Sequence, residues 1–150
     1  MTDTTMTTRT PWHLCAIGGV SLLWNGFGAY DFVMTTTQGE AYFRASGFDQ
    51  AMIDYFNAMP SWMYVPWTMG VWGALAGSLL LLLRSRWAVW AFALSLIGAV
   101  VSLIHGLFIN PMPPLPPAMA LMQYMPWVIV LIAALLLWYA WTWKKKGVLR

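Results

Sequence analysis

Apolar residues run through this chain in four long stretches that are separated by short polar or proline-rich segments. The stretches cover residues 12–34, 62–83, 87–109 and 121–143. A helix needs roughly 20 mostly apolar residues to cross the hydrocarbon core of a bilayer, and each stretch is long enough. None shows the alternation of apolar and polar residues that a membrane β-barrel requires. The pattern predicts an all-α, integral membrane four-helix bundle that forms a single transmembrane domain over residues 1–150.

The first stretch has a second interpretation as a secretory signal peptide. Arg9 precedes it, and the small residues Gly26, Gly28 and Ala29 follow its apolar start. The apolar core of a signal peptide is only about 7–15 residues long, and this stretch continues past that length. We therefore expect it to be the first span.

Composition agrees with a membrane protein, because 60% of the residues are hydrophobic and only 9% are charged. A soluble domain carries a much larger share of charged residues. The net charge of +3 does not indicate a nucleic-acid partner, since the basic residues flank the apolar stretches and do not line one helix face. The lipid bilayer is the expected partner. Cys15 is the single cysteine, which excludes an internal disulfide and a cysteine-based metal cluster.

The positions of lysine and arginine predict the orientation of the spans, because basic residues close to a span stay on the cytoplasmic side. Seven of the eight would share one face: Arg9, Arg84, Arg86, Lys144, Lys145, Lys146 and Arg150. Most tryptophans fall near the predicted span boundaries, as in the aromatic belts of membrane proteins. We expect both termini to be cytoplasmic.

The first outer loop contains a predicted short helix at residues 48–59 that lies on the membrane surface. Its apolar side chains recur on one helical stripe, formed by Phe48, Met52, Tyr55, Phe56 and Met59. Asp49 is the expected N-cap, Phe48 and Ile53 are placed to form a hydrophobic staple, and Pro60 ends the helix.

The second outer loop, from Asn110 to Ala120, contains five prolines: Pro111, Pro113, Pro114, Pro116 and Pro117. Such a segment is typical of a stiff, extended connector in the polyproline II conformation. It is a weaker candidate for a partner motif.

Small residues predict how the spans pack, because lipid provides no hydrophobic force between helices and close approach depends on small side chains. Each of the first three spans carries such residues at helical spacing, whereas the fourth is rich in large aliphatic residues and is expected to be peripheral. The expected packing residues of the second and third spans are Gly70, Gly73, Gly77, Ser95, Gly98 and Ser102.

Three polar residues within the stretches form the candidate functional site: Asn25, Asp31 and His105. Polar and ionisable groups at membrane depth are costly and usually face the bundle interior, where they find partners. Asp31 lies roughly 5 Å from the outer end of its span and His105 roughly 6 Å from the outer end of its own. We therefore predict that Asp31 pairs with His105, and that Asn25 donates to another helix or a backbone carbonyl. The alternatives are contact of both groups with headgroups or water, and ligation of a pigment or metal by His105.

Motifs for hydrolytic or phosphate chemistry do not occur in the sequence. It lacks a Ser-His-acid pattern, a His-Glu metal motif and a Gly-x-x-x-x-Gly-Lys loop. We expect no enzymatic activity and no metal or cofactor.

Two segments, LLWNGFGAYDFVMTTTQGEAYF at 22–43 and MGVWGALAGSLLLLLRSRWAV at 69–89, and the terminal GVLR at 147–150 carry a resemblance to a known family. They resemble an uncharacterised family of small bacterial four-span inner-membrane proteins that share Trp-Asn-x-x-Gly-Ala-x-Asp and Gly-Val-Trp-Gly. The resemblance covers most of the chain up to residue 105 and places Asn25 and Asp31 in the shared signature. It implies a multi-pass protein of the bacterial inner membrane, and some members carry a sugar-transporter label. The proline-rich second outer loop departs from the family pattern.

The function expected from these features is that of a non-enzymatic accessory or scaffold protein, whose partner is another membrane protein or a second copy of the chain. The alternative is a small oligomeric transporter of a small solute, either sugar-like or proton-coupled. In that case Asn25, Asp31 and His105 would line its polar path, and Asp31 would exchange the proton.

Overall fold

The computed structural model describes residues 10–150, so Arg9 lies outside the described residues. Within that range every regular element is a helix and there is no strand, which confirms the predicted all-α class. The α-helices are α1 (Trp12–Gln38), α2 (Glu40–Ala45), α3 (Gln50–Asn57), α4 (Tyr64–Leu82), α5 (Ala88–Phe108) and α6 (Met125–Lys145). Two 3₁₀ segments, Ser61–Met63 and Pro117–Tyr124, lead directly into α4 and α6.

Three helical segments between residues 10 and 150 are long and apolar enough to cross a membrane. They are Ser61–Leu82, Ala88–Phe108 and Pro117–Lys145. α1 has the length, with 27 residues, but it is less apolar because it contains Asn25, Asp31 and several glycine and aromatic residues. The length and hydropathy of these three segments are those of membrane-spanning helices, which indicates a membrane protein.

α4 and α5 are the two inner helices, since α4 packs against α1 and α5, and α5 packs against α4 and α6. Glycines allow the backbones of α4 and α5 to touch. A Cβ atom on Gly98 would lie 2.3 Å from the carbonyl oxygen of Pro66, and one on Gly73 would lie 3.0 Å from that of Ala91. The Ser95 hydroxyl donates to the Gly70 carbonyl across the same contact, at 2.7 Å. The contact therefore excludes any larger side chain at Gly98.

The other predicted packing residues lie along the same two helices. Gly77 faces the ring of Phe92, whose nearest atom would be 2.7 Å from an added Cβ. The Ser102 hydroxyl donates to the Gly98 carbonyl of its own helix. On α1, an added Cβ at Gly18 would lie 2.6 Å from the Leu82 side chain, so α1 also approaches α4 closely.

The segment between α1 and α4 folds into a cap over one end of the helices, formed by α2 and α3. The expected N-cap of α3 is present, because the Asp49 carboxylate accepts from the Met52 amide at 3.0 Å. The apolar residues Met52 and Ile53 of α3 are buried inside the protein. This end is called the cap end below.

The sequence interpretation of this segment missed α2 and is corrected in two respects. α2 places Phe43 against the stacked rings of Phe48 and Phe56. Phe48 thus packs on the aromatic rings of Phe43 and Phe56. Part of the predicted lipid-facing stripe is therefore covered by protein, since Met52 is 1% exposed.

The second connection is only partly extended. Residues 111–116 lack regular structure and Pro116 has an extended backbone, but Pro117–Tyr124 form a 3₁₀ helix. The expectation of an extended segment up to Ala120 is wrong at its end. Proline is well tolerated in the first turn of a helix, so Pro117 can begin one, and Ala118 to Met122 continue it.

The opposite end of the molecule, called the basic end below, gathers the lysines and arginines that flank the long helices. The Arg150 amide donates to the Arg84 carbonyl at 2.7 Å, and the Arg86 amide donates to the Arg150 carbonyl at 2.8 Å. Val148 and Leu149 are buried in a cluster with residues of all four long helices, including Leu14 and Leu81. The last residues of the chain are therefore part of the core.

Candidate functional site

The Asn25 side chain joins α1 to α4. Its amide nitrogen lies 2.8 Å from the Ser78 hydroxyl oxygen and 3.3 Å from the Ala74 carbonyl oxygen, and it donates to both. The Ser78 hydroxyl in turn donates to the Ala74 carbonyl at 2.9 Å. Asn25 and Ser78 are buried, so the amide holds α1 and α4 together by hydrogen bonds within an otherwise apolar contact. The expected donation from Asn25 to another helix is confirmed.

Asp31 lies near the cap end of α1 and accepts a hydrogen bond from the Tyr42 hydroxyl, at 2.8 Å from Oδ1. This contact fixes α2 against α1 after the chain reverses at Gly39, which has a positive φ of 54°. The hydrogen bond to the carboxylate, aided by partial burial and by the charge of Asp31, raises the pKa of Tyr42 to about 12. The phenol therefore stays protonated well above its usual range.

His105 lies near the end of α5 beneath the cap and is only 4% exposed. Its ring meets the Trp62 ring edge-on, with the centroids 5.4 Å apart and an interplanar angle of 81°. Its Nε2 atom is buried and has no hydrogen-bond partner among residues 10–150. Most buried polar atoms have partners, so this nitrogen is the exceptional polar group of the described chain.

The predicted pairing of Asp31 with His105 is wrong. Asp31 bonds Tyr42 and His105 meets Trp62, and the structure has no ion pair between the two within its described range. The physical reason is the central position of α4, which packs against α1 on one side and α5 on another. The two residues belong to helices that each pack against α4.

Asn25, Asp31 and His105 therefore occupy three separate contacts and are not brought together into one site. The structure instead shows partners that the sequence interpretation missed. Tyr42 belongs to the unrecognised helix α2, for which the spacing of Glu40 and Arg44 was an available signal, because such i,i+4 pairs stabilise helices. Trp62 is among the tryptophans near the predicted span boundaries, and nothing in its sequence context indicated His105 as its neighbour.

A further contact ties the cap to α5. The Asn110 side chain donates to the Tyr55 carbonyl at 3.4 Å, and the Tyr55 hydroxyl lies 3.7 Å from the position of a Cβ on Gly106. α3 is thus held over the end of α5, one turn from His105. The cap restricts access to His105 from this end.

At the basic end, the side chain of His13 in α1 has a hydrogen-bond partner in α6. Its Nδ1 lies 2.7 Å from the Tyr139 hydroxyl, and its ring packs against Trp143 with centroids 4.9 Å apart. The two histidines of the chain therefore differ, because His13 Nδ1 has a polar partner, whereas the buried Nε2 of His105 has none among residues 10–150.

An apolar groove lies between α1 and α6. It has a volume of about 410 Å³, and its walls include Ile17, Val20, Trp24, Ile132 and Leu136. It does not contain Asn25, Asp31 or His105. Residues 10–150 also contain no group of three or more His, Cys, Asp or Glu side chains that is placed to hold a metal ion.

Comparison of the chain with family models, curated proteins and solved structures gives no match. The resemblance of residues 22–43 and 69–89 to small bacterial four-span proteins stays a prediction from the sequence.

Proposed function

We propose that this chain is a multi-pass protein of the bacterial inner membrane, with α1 as a fourth span and both termini in the cytoplasm. Support for α1 as a span comes from its 27 residues and from its close antiparallel packing along α4. The orientation is supported by the basic end, where Arg84, Arg86 and Lys144–Lys146 gather, because such residues are retained in the cytoplasm. The cap end, including α3, then lies at the outer membrane–water interface.

Within that membrane the proposed role is that of a non-enzymatic accessory or scaffold protein. The observation that carries this proposal is the commitment of Asn25 to α4, through donation to both Ser78 and Ala74. A solute path needs polar groups that face a common, water-accessible space, whereas this amide is used to hold two helices together. Asp31 is likewise engaged, because it accepts from Tyr42.

The test is purification of the tagged full-length chain from its native membrane in a lipid-preserving polymer, with the wild type beside Asp31→Asn. The accessory role predicts a membrane protein that co-purifies in fixed stoichiometry with both forms, since Asp31 serves the cap. Proteoliposomes of the same preparations should show no solute-dependent proton movement. Proton movement that requires the wild-type Asp31 would overturn the proposal.

The alternative is a small oligomeric transporter of a small solute, and one observation favours it. The buried Nε2 of His105 has no hydrogen-bond partner within the described range, and a ligand admitted past the cap and Trp62 would find this nitrogen free. Uptake of labelled sugars by proteoliposomes, compared between the wild type and His105→Phe, tests this role. Uptake that is lost in His105→Phe and kept in His13→Phe would favour transport.

A further inference from the structure

A second polar feature lies at the basic end, between the start of α5 and the end of α6. Arg86, Trp87, Trp90 and Lys144 line a pocket of about 230 Å³. The Lys144 ammonium lies over the Trp90 ring, 6.0 Å from its centroid. The pocket thus combines two indole rings with two cations, Arg86 just before α5 and Lys144 in α6.

The two cations are available to an anion. Among residues 10–150 the recorded ion pair joins Arg44 to Glu40 at the cap end, and neither Arg86 nor Lys144 is paired with a carboxylate. The remaining acidic residues of this range, Asp31, Asp49 and Asp54, also belong to the cap half of the molecule. Within the described chain, no acidic side chain therefore competes for the pocket.

The backbone around Arg86 is fixed, so the pocket does not depend on a loose loop. The Arg86 amide donates to the Arg150 carbonyl at 2.8 Å, and the Trp87 amide donates to the Ser85 hydroxyl at 3.3 Å. Lys144 belongs to the last turn of α6. Groups held on rigid elements lose less entropy when they bind a ligand.

The ligand must also suit an apolar surface that continues from the pocket along α5. Trp87 and Trp90 are 58% and 63% exposed, and Leu94 and Ile97 follow them on the same face at helical spacing with more than a third of their surface exposed. A small free anion uses none of this surface. A lipid with an anionic head and two acyl chains contacts both the cations and the apolar face.

We propose that this pocket binds the phosphodiester of an anionic phospholipid from the leaflet at the basic end. Arg86 and Lys144 contact the phosphate oxygens, and Arg86 has the planar, forked donor geometry that suits a phosphate. Trp87 and Trp90 lie at the level of the glycerol backbone, where indole rings are favoured, and the acyl chains follow α5. Basic pockets between membrane helices on the cytoplasmic side are suited to such headgroups. The inference rests on the proposed placement of this end at a membrane surface.

The test compares two double variants that remove equal charge from the same end. Arg86→Gln/Lys144→Gln alters the pocket. Lys145→Gln/Lys146→Gln is the matched control, because these lysines lie over Trp141 and Trp143 and do not line the pocket. Both are purified as full-length chains in mild detergent, and helix content and thermal unfolding are recorded to show that they fold alike.

Native mass spectrometry then measures the binding of phosphatidylglycerol and phosphatidylcholine to each form. A cation near a membrane surface contributes about fivefold to the binding of an anionic lipid, so removal of two should weaken phosphatidylglycerol binding by about thirtyfold. The control should lose no more than a few-fold, and phosphatidylcholine binding should be weak and equal in all forms. An equal loss in both double variants would show general surface charge and overturn the site, as would full retention in the pocket variant.

Two further experiments are needed. The first distinguishes a lipid phosphate from a free phosphate, and the second tests membrane insertion separately from lipid binding. Glycerol 3-phosphate and inorganic phosphate at millimolar concentration should leave the lipid-bound form unchanged, and displacement by either would identify a site for a free anion. Alkaline carbonate extraction of cell membranes tests membrane insertion independently. A wild-type chain released by carbonate would refute the proposed membrane placement, whereas an inserted chain without phosphatidylglycerol preference refutes only the lipid site.

Discussion

The amide nitrogen of Asn25 lies 2.8 Å from the hydroxyl oxygen of Ser78, across the contact between α1 and α4. Both residues are buried, and the close approach of Gly18 to Leu82 lies further along the same contact. Hydrogen bonds between membrane helices contribute less than their burial suggests, about 0.6 kcal/mol on average and about 1.7 kcal/mol at most. This bond therefore selects the register of α1 on α4 more than it stabilises the fold.

We expect Asn25→Ala and Ser78→Ala each to lower the free energy of unfolding by about 1 kcal/mol. The double variant should lose less than the sum of the two, by about 0.6 kcal/mol, because the shared bond is lost only once. Reversible unfolding in mixed micelles with increasing dodecyl sulfate, followed by circular dichroism, gives the three values. Strict additivity would show that the two side chains do not interact.

The contact between α4 and α5 gives a stronger prediction at Gly98. A Cβ atom there would lie 2.3 Å from the Pro66 carbonyl oxygen and 2.6 Å from the Gly70 amide nitrogen, and neither backbone atom can move freely. Gly98→Ala should therefore cost about 1–3 kcal/mol or more, in the range of overpacked cores. The same unfolding measurement applies.

Gly26→Ala is the matched control for Gly98→Ala. Nothing lies within 4 Å of a Cβ at Gly26, which is also inside a helix. Because alanine favours a helix over glycine by about 0.5–1 kcal/mol, this change should be neutral or stabilising. Equal destabilisation by both changes would contradict the close packing of α4 on α5.

The sequence predicted those features of the fold that depend on a single strong physical constraint. Long apolar stretches predicted the long helices. The small-residue stripes that contain Gly73 on α4 and Gly98 on α5 meet in the close backbone contact between these helices. Asn25 was predicted to donate across a helix contact because a buried amide must find an acceptor. In each case the residue type and its spacing were sufficient.

The partners of Asp31 and His105 were not predictable in the same way. Counting residues along a helix gives depth, but the position around the bundle depends on which helices touch. α4 contacts both α1 and α5, whereas Asp31 bonds Tyr42 of α2 and His105 lies beside Trp62. Val148 and Leu149 follow a lysine run and carry no periodic signal, so their burial could be seen only in three dimensions.

The bond from Tyr42 to Asp31 predicts a dependence of stability on alkaline pH. The pKa of Tyr42 is raised from 10.0 to about 12 in the folded chain, chiefly by this bond, so folding favours the protonated phenol. The resulting stabilisation is complete below pH 10 and is lost as the pH rises from about 10 to about 12. The Tm of the wild type should exceed that of Tyr42→Phe below pH 10, and the difference should shrink across this window.

Tyr64→Phe serves as the control for alkaline effects on other tyrosines, because Tyr64 is exposed and lies in the same half of the molecule. Its Tm should follow that of the wild type at every pH. A difference between wild type and Tyr42→Phe that stays constant up to pH 12 would contradict the role of the hydrogen bond.

Burial of Leu149 at the basic end predicts that the last residues of the chain contribute to stability. Leu149 is 4% exposed and belongs to a cluster with Leu81 and Ala88. Leu149→Ala should lower the free energy of unfolding by about 2–4 kcal/mol, as for other buried leucines. Leu83→Ala, at a leucine 67% exposed close to the same end, should change it by less than about 0.5 kcal/mol.

The two histidines offer a paired test of whether His105 serves structure or function. His13 donates to or accepts from Tyr139 at 2.7 Å, and the pair is partly buried, so His13→Phe, which removes this bond, should cost about 0.5–1.5 kcal/mol. His105 keeps a buried Nε2 that has no partner within residues 10–150, so His105→Phe removes an unsatisfied atom and retains a ring against Trp62. That variant should be as stable as the wild type or more stable by about 1 kcal/mol.

If His105→Phe is as stable as the wild type or more stable, a loss of co-purification or of solute uptake in this variant cannot come from unfolding. Under the accessory role the variant should still co-purify with the partner in the wild-type ratio, since His105 lies beneath the cap and is 4% exposed. Under the transporter role it should fold and insert normally but fail to move solute. A destabilised His105→Phe would instead show that Nε2 has a partner that residues 10–150 do not supply, such as a bound water or a ligand held beneath Trp62.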